Sequence, residues 1–315
     1  MRFALLLCLL SGFAHAQSWP QKPVKVIVPF PPGGVTDSVA RITADWLTQR
    51  LGQAVVAENR PGASGAIAAE AVARAEPDGY TLLSAAAPQL AVVPHVQKIS
   101  YDPVKDFAPI SIVGANSFVL GCNANVPAKN LKELIDYAKA RPGQLNYASP
   151  GQGSVGHLSM ALLLARTGVK MEAVLYKGGG PAVADMVAGH VPCYFGNLNE
   201  LLPHVGSGRV RLLATSGTQR EKALPDVPTV AEQGYPGFRT ATWNGYVAPA
   251  GTPREIVERI AREIAAGCKD AAFAARLEKI GVEPVCGSPA QFTQAISEDL
   301  QTWKEAVAAA GIKPQ

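Results

Sequence analysis

The chain lacks several features that would place it in a common functional class. Its 315 residues carry 29 Lys and Arg against 25 Asp and Glu, without the basic block or interleaved aromatics that nucleic-acid binding requires. It has neither a His-Glu-x-x-His motif nor a carboxylate-rich loop for zinc or calcium. Beyond the amino terminus no apolar run reaches the roughly 18 residues of a membrane span. We therefore expect no nucleic-acid partner, no bound metal and no transmembrane segment.

Two catalytic or cofactor motifs are also missing or incomplete. The chain has no G-x-S-x-G nucleophile elbow of the kind that serine hydrolases use. Gly151 to Gly156 matches the G-x-G-x-x-G dinucleotide pattern. However, the next predicted strand ends in Tyr176 and Lys177, where an acid would be needed to bind the ribose. We therefore expect no cofactor.

The amino terminus has the pattern of a secretory signal peptide. Arg2 provides the positive start, Phe3 to Leu10 the apolar segment, and Ala14-His15-Ala16 a small-x-small cleavage site. This predicts cleavage after Ala16 and an exported, periplasmic mature protein that begins at Gln17.

Four cysteines remain after that cleavage. In an oxidising compartment they allow three pairings into two disulfides. We favour Cys122 with Cys193 and Cys268 with Cys286, because each pair lies within one predicted structural unit. Four buried free thiols are the alternative.

The most informative feature present is a strand that runs into a glycine-rich loop and a helix. Val24 to Phe30 is a short β-branched run, and Asp37 to Leu51 has apolar residues at helical spacing. Gly33 and Gly34 stand at the junction, where the unpaired N–H groups and the dipole of a helix start favour an anion. The pattern predicts a carboxylate or phosphate site.

The same pattern recurs twice, at Leu145 to His157 and at Ala173 to Ala182. Open α/β sheets bind ligands beyond the carboxyl ends of their strands, so these loops are expected to converge on one crevice. Permissive glycines such as Gly178 suggest a close approach of the backbone or a turn with positive φ.

Several polar side chains near these loops have more than one interpretation. Asp37 could stabilise a helix start or orient a ligand, and Lys177 could contact an anion or remain solvated. Ser154 and His157 lie one helical turn apart. His157 could line the ligand site, support the turn, or act in catalysis.

The order of predicted elements indicates two α/β units joined by an insertion. A chain of this length exceeds what one core usually holds. Strand and helix alternate up to a strand at Ala108 to Val113, and a second series starts at Phe118. Ala223 to Arg239 is a Pro- and Gly-rich loop, and the following strand and helices are expected to complete the first unit. Two crossings between the units would form a hinge.

Many ordered strings resemble the Bug-type periplasmic solute-binding proteins of tripartite tricarboxylate transporters, across essentially the whole mature chain. They are Val28-Pro-Phe-Pro-Pro-Gly-Gly-Val-Thr-Asp37, Glu58-Asn-Arg-Pro-Gly62, Pro77-Asp-Gly-Tyr-Thr-Leu-Leu83, Tyr101-Asp-Pro-Val-Lys-Asp-Phe-Ala-Pro109, Leu145-Asn-Tyr-Ala-Ser149, Tyr176-Lys-Gly-Gly179, Leu224-Pro-Asp-Val-Pro-Thr-Val230 and Ala248-Pro-Ala-Gly-Thr-Pro253.

The resemblance implies an α/β fold of the two-lobed, type II Venus-flytrap class, with lobe 1 formed by residues 17–117 and 238–315 and lobe 2 by residues 118–237. It also implies a cleft that binds a small carboxylate mainly through backbone amides. The implied ligand shell, together with Lys177, Gly178 and Asn197, consists of Pro32, Gly33, Gly34, Thr36, Asp37, Ser149, Gln152, Gly153, Ser154 and His157. Relatives usually have an aspartate where this chain has Gly196, which departs from the family pattern.

The leading functional prediction is a non-enzymatic, monomeric receptor that passes its ligand to membrane permease subunits. One alternative is an exported hydrolase-like enzyme that uses Ser154 and His157. Another is a receptor used for sensing rather than uptake.

Overall fold

The structure is a computed structural model that describes residues 19–176 and 178–313. The predicted signal peptide, its cleavage site after Ala16, and Lys177 lie outside the described residues. Within those ranges no helix is both long and apolar enough to cross a membrane.

Strands and helices alternate along the first part of the chain. They are β1 (Val24–Val28), α1 (Val35–Leu51), β2 (Val55–Asn59), α2 (Ala66–Ala73), β3 (Thr81–Ala86), α3 (Val93–Val96) and β4 (Phe107–Asn123). The predicted apolar face of α1 is buried, with Val39, Ile42 and Leu47 in the core.

The middle of the chain forms a second α/β series. Its elements are α4 (Leu131–Lys139), β5 (Asn146–Ser149), α5 (Val155–Thr167), β6 (Glu172–Leu175), α6 (Gly179–Ala188), β7 (Cys193–Asn197), α7 (Leu198–Val205) and β8 (Val210–Thr215). Residues 216–240 then form no helix or strand, which confirms the predicted loop.

The last part of the chain returns to the first series. It contains β9 (Ala241–Pro249), α8 (Arg254–Gly267), α9 (Ala271–Lys279), β10 (Glu283–Pro284) and α10 (Pro289–Ala309). β9 pairs antiparallel with both β3 and β4, so it lies inside the sheet built by the amino-terminal strands. The return of the chain was predicted from the order of elements.

The strands follow the order β2-β1-β3-β9-β4-β7-β5-β6, and β8 and β10 also pair with β4. Sequence reasoning predicts two separate strands that end at Val113 and begin at Phe118. The structure has a single strand of 17 residues, because the intervening Gly114 to Ser117 also pairs with β9. From Phe118 onward β4 pairs with β7 and β8 instead.

This change of partners along β4 separates the two lobes of the α/β fold. Apolar clusters built around β1 and β3 lie on one side, and clusters around β5 and β7 lie on the other. The end of α10 packs on the second lobe, since Trp303 and Ala306 share a cluster with Leu158. The exact lobe boundaries stay a prediction.

Both predicted disulfides are present. Cys122–Cys193 joins the paired strands β4 and β7, and Cys268–Cys286 joins the end of α8 to the segment after β10. The alternative of four free thiols is therefore wrong.

Candidate functional site

The start of α1 presents unpaired backbone donors. The helix begins two residues earlier than the sequence predicts, with Gly34 as its N-cap and no side chain bonded to that end. Within the described residues, no acceptor receives the N–H groups of Gly34, Val35 or Thr36. Three free donors at the positive end of a 17-residue helix form a site suited to an anion.

The carboxylate of Asp37 supports this loop from behind. It accepts hydrogen bonds from the Gly33 N–H at 3.0 Å, from Asn59 Nδ2 at 2.8 Å and from Arg41 Nε at 3.1 Å. Burial by itself would raise the pKa of the Asp37 carboxyl, but the bonds from Arg41, Gly33 and Asn59 outweigh it and hold the pKa below its ordinary value. At 3 % exposure, Asp37 supports the loop and does not line the cleft.

The start of α5 presents a second pair of free donors. Ser154 is its N-cap, and the N–H groups of Val155 and Gly156 meet no acceptor within the described chain. A Cβ at Gly156 would lie 2.3 Å from the carbonyl oxygen of Phe195. Only glycine therefore lets the start of this helix pack so closely against β7.

Ser154 and His157 do not form a catalytic couple. The Ser154 hydroxyl donates to the Gly151 carbonyl at 2.7 Å and accepts the His157 N–H at 3.3 Å. The imidazole Nδ1 accepts the Gly153 N–H at 3.1 Å, and the ring stacks on Tyr147. Burial lowers the pKa of His157. Both side chains hold the loop in shape, and neither activates the other.

The two helix starts open onto one cavity of about 460 Å³ between the lobes. Its walls come from the α1 and α5 starts, the end of β3, the crossing strands β4 and β9, and the β7–α7 junction. The lining residues are Phe30, Gly33, Gly34, Val35, Thr36, Ala86, Pro88, Asn116, Phe118, Pro150, Ser154, Val155, Gly156, Tyr194, Asn197, Asn199, Glu200, Thr242 and Asn244.

Five residues of the sequence-predicted shell line this cavity: Gly33, Gly34, Thr36, Ser154 and Asn197. Gln152 and Gly153 line an adjoining cavity, also of about 460 Å³, that shares Phe30, Pro88 and Pro150 with the first. Gln152 and His157 also reach a larger groove, of about 640 Å³, between α5, β6 and residues 309–312. No residue from the start of α1 lines that groove, so the interlobe cavity is the better candidate.

The other predicted residues lie apart from the interlobe cavity. Ser149 is fully buried and its hydroxyl contacts Gly151. Gly178 donates its N–H to the Pro150 carbonyl at 2.9 Å. Pro32 is exposed beside the cavity lining without belonging to it. Lys177 lies outside the described residues.

Sequence reasoning missed the polar residues on the crossing strands. Asn116 and Thr242 are cross-strand partners on β4 and β9, and Asn244 lies two residues further along β9. Asn244 is 1 % exposed, and its side-chain oxygen has no hydrogen-bond partner among the described residues. The available signal was an asparagine two residues before the apolar run from Tyr246 to Ala248.

Tyr194 and Glu200 form the floor of the cavity at the β7–α7 junction. The Tyr194 hydroxyl donates to Glu200 Oε2 at 2.7 Å, and the Asn197 N–H donates to the same oxygen at 3.2 Å. A Cβ at Gly196 would lie 2.0 Å from the Tyr194 ring, and one at Gly179 would lie 2.2 Å from Glu200 Oε1. The two glycines therefore make room for this tyrosine and this carboxylate.

Two lobes with free donors facing a shared cleft define a solute-binding protein. The model of the "Tripartite tricarboxylate transporter family receptor" matches residues 39–312. The chain therefore belongs to that receptor family, and it is a solute-binding receptor rather than an enzyme.

Individual relatives cover nearly the whole chain. Protein BugT of Bordetella pertussis is 38% identical over 95% of this chain and 92% of its own length. The structure described as R. palustris Rpa4515 with adipate is 37% identical, with a TM-score of 0.80 over 95% of this chain and all (100%) of that one. MatC from Rhodopseudomonas palustris with bound malate is 32% identical, with a TM-score of 0.75 over 92% and 100% of the two chains.

Proposed function

We propose that this receptor binds a small carboxylate in the interlobe cavity, with the carboxylate group held by the free N–H groups of the α1 and α5 starts. The observation that carries the proposal is that Gly34, Val35 and Thr36 from one lobe face the same cavity as Val155 and Gly156 from the other. Two helix dipoles directed at one space favour negative charge. Bound adipate and malate in two relatives support a carboxylate ligand.

The proposed contacts divide the predicted shell into two groups. Gly33, Gly34, Thr36, Ser154 and Asn197 contact the ligand from the cavity wall. The remaining described residues lie outside that wall, and most of them hold the loops through hydrogen bonds to neighbouring residues. This second group is Pro32, Asp37, Ser149, Gln152, Gly153, His157 and Gly178.

Ligand capture is proposed to close lobe 1 (residues 17–117 and 238–315) on lobe 2 (residues 118–237). The two crossings are joined at Ser216, whose hydroxyl accepts the Phe118 N–H at 2.9 Å and donates to the Thr240 carbonyl. A short link between two adjacent, antiparallel crossings is suited to hinge closure. The closed receptor, a periplasmic monomer, would then deliver its ligand to permease subunits in the membrane.

Gly34→Val tests the anion site. Gly34 has a negative φ of −77°, and the nearest atom to a Cβ there is the Pro31 carbonyl oxygen at 4.0 Å. Valine should therefore fold normally while covering the free N–H groups. Gly206→Val is the matched control, because a Cβ at Gly206 also meets open space and the residue lies outside the cavity lining.

The measurement is a thermal-shift screen of mono-, di- and tricarboxylates, followed by calorimetry. A ligand at 100 times its dissociation constant stabilises a protein by about 2.7 kcal/mol. We expect a carboxylate to stabilise the wild type and Gly206→Val, but not Gly34→Val. Equal binding by all three proteins would refute the site. Stabilisation by neutral compounds alone would refute the ligand class.

A further inference from the structure

The interlobe cavity is lined by side-chain acceptors as well as by backbone donors. Glu200, Asn116 and Asn244 all line it. The side-chain oxygens of Asn116 and Asn244 are buried without a hydrogen-bond partner among the described residues. Buried polar atoms are normally paired, so two such oxygens in one cavity wall indicate a donor supplied from outside the chain.

These three side chains are linked into one surface. Asn116 Nδ2 donates to Asn197 Oδ1 at 2.9 Å, and the Asn197 N–H donates to Glu200 Oε2. Asn244 and Thr242 share one face of β9, and Thr242 is the cross-strand partner of Asn116. These polar groups therefore form one continuous surface from the crossing strands β4 and β9 to the start of α7.

The Glu200 carboxylate has unused capacity. Its Oε2 accepts two hydrogen bonds, from Tyr194 and Asn197, but Oε1 accepts none within the described residues. No Lys, Arg or His of the described chain forms an ion pair with Glu200. A ligand with a second carboxylate at this point would meet like-charge repulsion.

We propose that the receptor selects a carboxylate that also carries an ammonium group, as amino acids do. This inference rests on the proposed function, which supplies the carboxylate contact at the helix starts. The ammonium lies against Glu200, Asn116 and Asn244. An ammonium has three N–H donors and no acceptor. It therefore matches three acceptor groups, one of them a carboxylate that forms no ion pair with the described residues.

The test compares probes that differ only in the ammonium group. The pairs are aspartate with succinate, glutamate with glutarate, 2-aminoadipate with adipate, alanine with propionate, and phenylalanine with 3-phenylpropionate. Isothermal titration calorimetry on the mature protein should give, for at least one pair, a dissociation constant at least tenfold lower for the amino member.

Glu200→Gln should remove most of that preference. Glutamine keeps the capping bond of α7, since Gln291 makes the same bond to Ser288 at the start of α10. The variant should reduce the amino preference to less than threefold, by weakening the binding of the amino member of the pair. Glu133→Gln is the control, because Glu133 holds the same position in α4 and is exposed outside the cavity lining.

Asn244→Leu tests the same amino preference independently, in case Glu200→Gln does not fold. It removes one acceptor from the same surface, keeps a side chain of four heavy atoms branched at Cγ, and should lower the amino preference at least threefold. Equal or tighter binding of the simple acids by the wild type would overturn the inference and leave the carboxylate proposal standing. An unchanged preference in both cavity variants would also overturn it. Absence of binding by every probe would contradict the carboxylate proposal itself.

Discussion

Asp37 and Asn59 are joined by a hydrogen bond of 2.8 Å that ties the end of β2 to the start of α1. Asn59 Nδ2 also donates to the Phe30 carbonyl at 2.9 Å, and Arg41 Nη2 donates to Asn59 Oδ1 at 2.8 Å. Asn59 and the glycine loop are thus parts of one network. The side chains that hold the loop do not line the cavity.

Asp37→Asn should destabilise the protein by about 1–3 kcal/mol, because it removes a buried acceptor from three donors. The folded-state pKa of Asp37 is lowered, so ionised Asp37 stabilises the fold above the unfolded pKa. That contribution is lost as pH falls through the folded pKa. Urea unfolding should therefore show the two proteins converging in stability toward acidic pH. Asp226→Asn at an exposed site should match wild type, and a difference that stays constant with pH would contradict this role.

His157→Asn should also change the pH dependence of stability, and at a higher pH than Asp37→Asn does. Because burial lowers the pKa of His157 in the fold, the unfolded chain binds the proton more readily, and wild-type stability falls as pH drops below about 6.5. The asparagine variant lacks this proton linkage, so its deficit should be smaller at pH ~5 than at pH ~7.5. Chemical denaturation at the two pH values measures this, with His204→Asn as control. An identical deficit at both would argue that His157 titrates freely.

Ser216→Ala should loosen the link between the two crossings. It leaves the buried Phe118 N–H and Thr240 carbonyl without the hydroxyl that joins them, at a cost of about 1–3 kcal/mol. The exposed Ser207 bonds only locally: its hydroxyl donates to the His204 carbonyl and accepts from Arg209 Nε. Ser207→Ala should therefore stay within about 0.5 kcal/mol of wild type in the same unfolding experiment. Equal effects of the two substitutions would contradict a linking role for the Ser216 hydroxyl.

The two disulfides should differ in what they contribute. They span 71 and 18 residues of chain, and loop entropy assigns about 4 and about 3 kcal/mol to closures of these sizes. The Cys122→Ala/Cys193→Ala double variant should therefore unfold at lower urea than the Cys268→Ala/Cys286→Ala variant. The reverse order would show that residual structure in the unfolded chain dominates over loop length.

The strand-loop-helix segments were predictable because apolar periodicity and paired glycines are local signals. The predicted start of α1 is two residues too late, because Val35 and Thr36 carry no strong helix-start signal. The length of β4 was missed because Gly114 to Ser117 looks like a break until β9 pairs with it.

The candidate site was predictable only where its contacts come from backbone. Gly34 was found from the glycine loop, and Thr36 from the resemblance to the family. Asn244 and Glu200 were missed because their importance depends on packing between strands far apart in sequence. His157 was placed in the correct loop, but the direction of its ring is decided by Gly153 and Tyr147.

The network around Asp37 has a thermodynamic consequence for ligand capture. Because Asp37, Arg41 and Asn59 fix the glycine loop through bonds within the chain, a ligand meets donors that are already oriented. Little conformational entropy of this loop is then lost on binding. Under the proposed closure, the free energy of recognition remains available for the larger motion. The affinity measured for a solute would then report mainly how well the solute draws the second lobe toward a surface that was rigid from the outset.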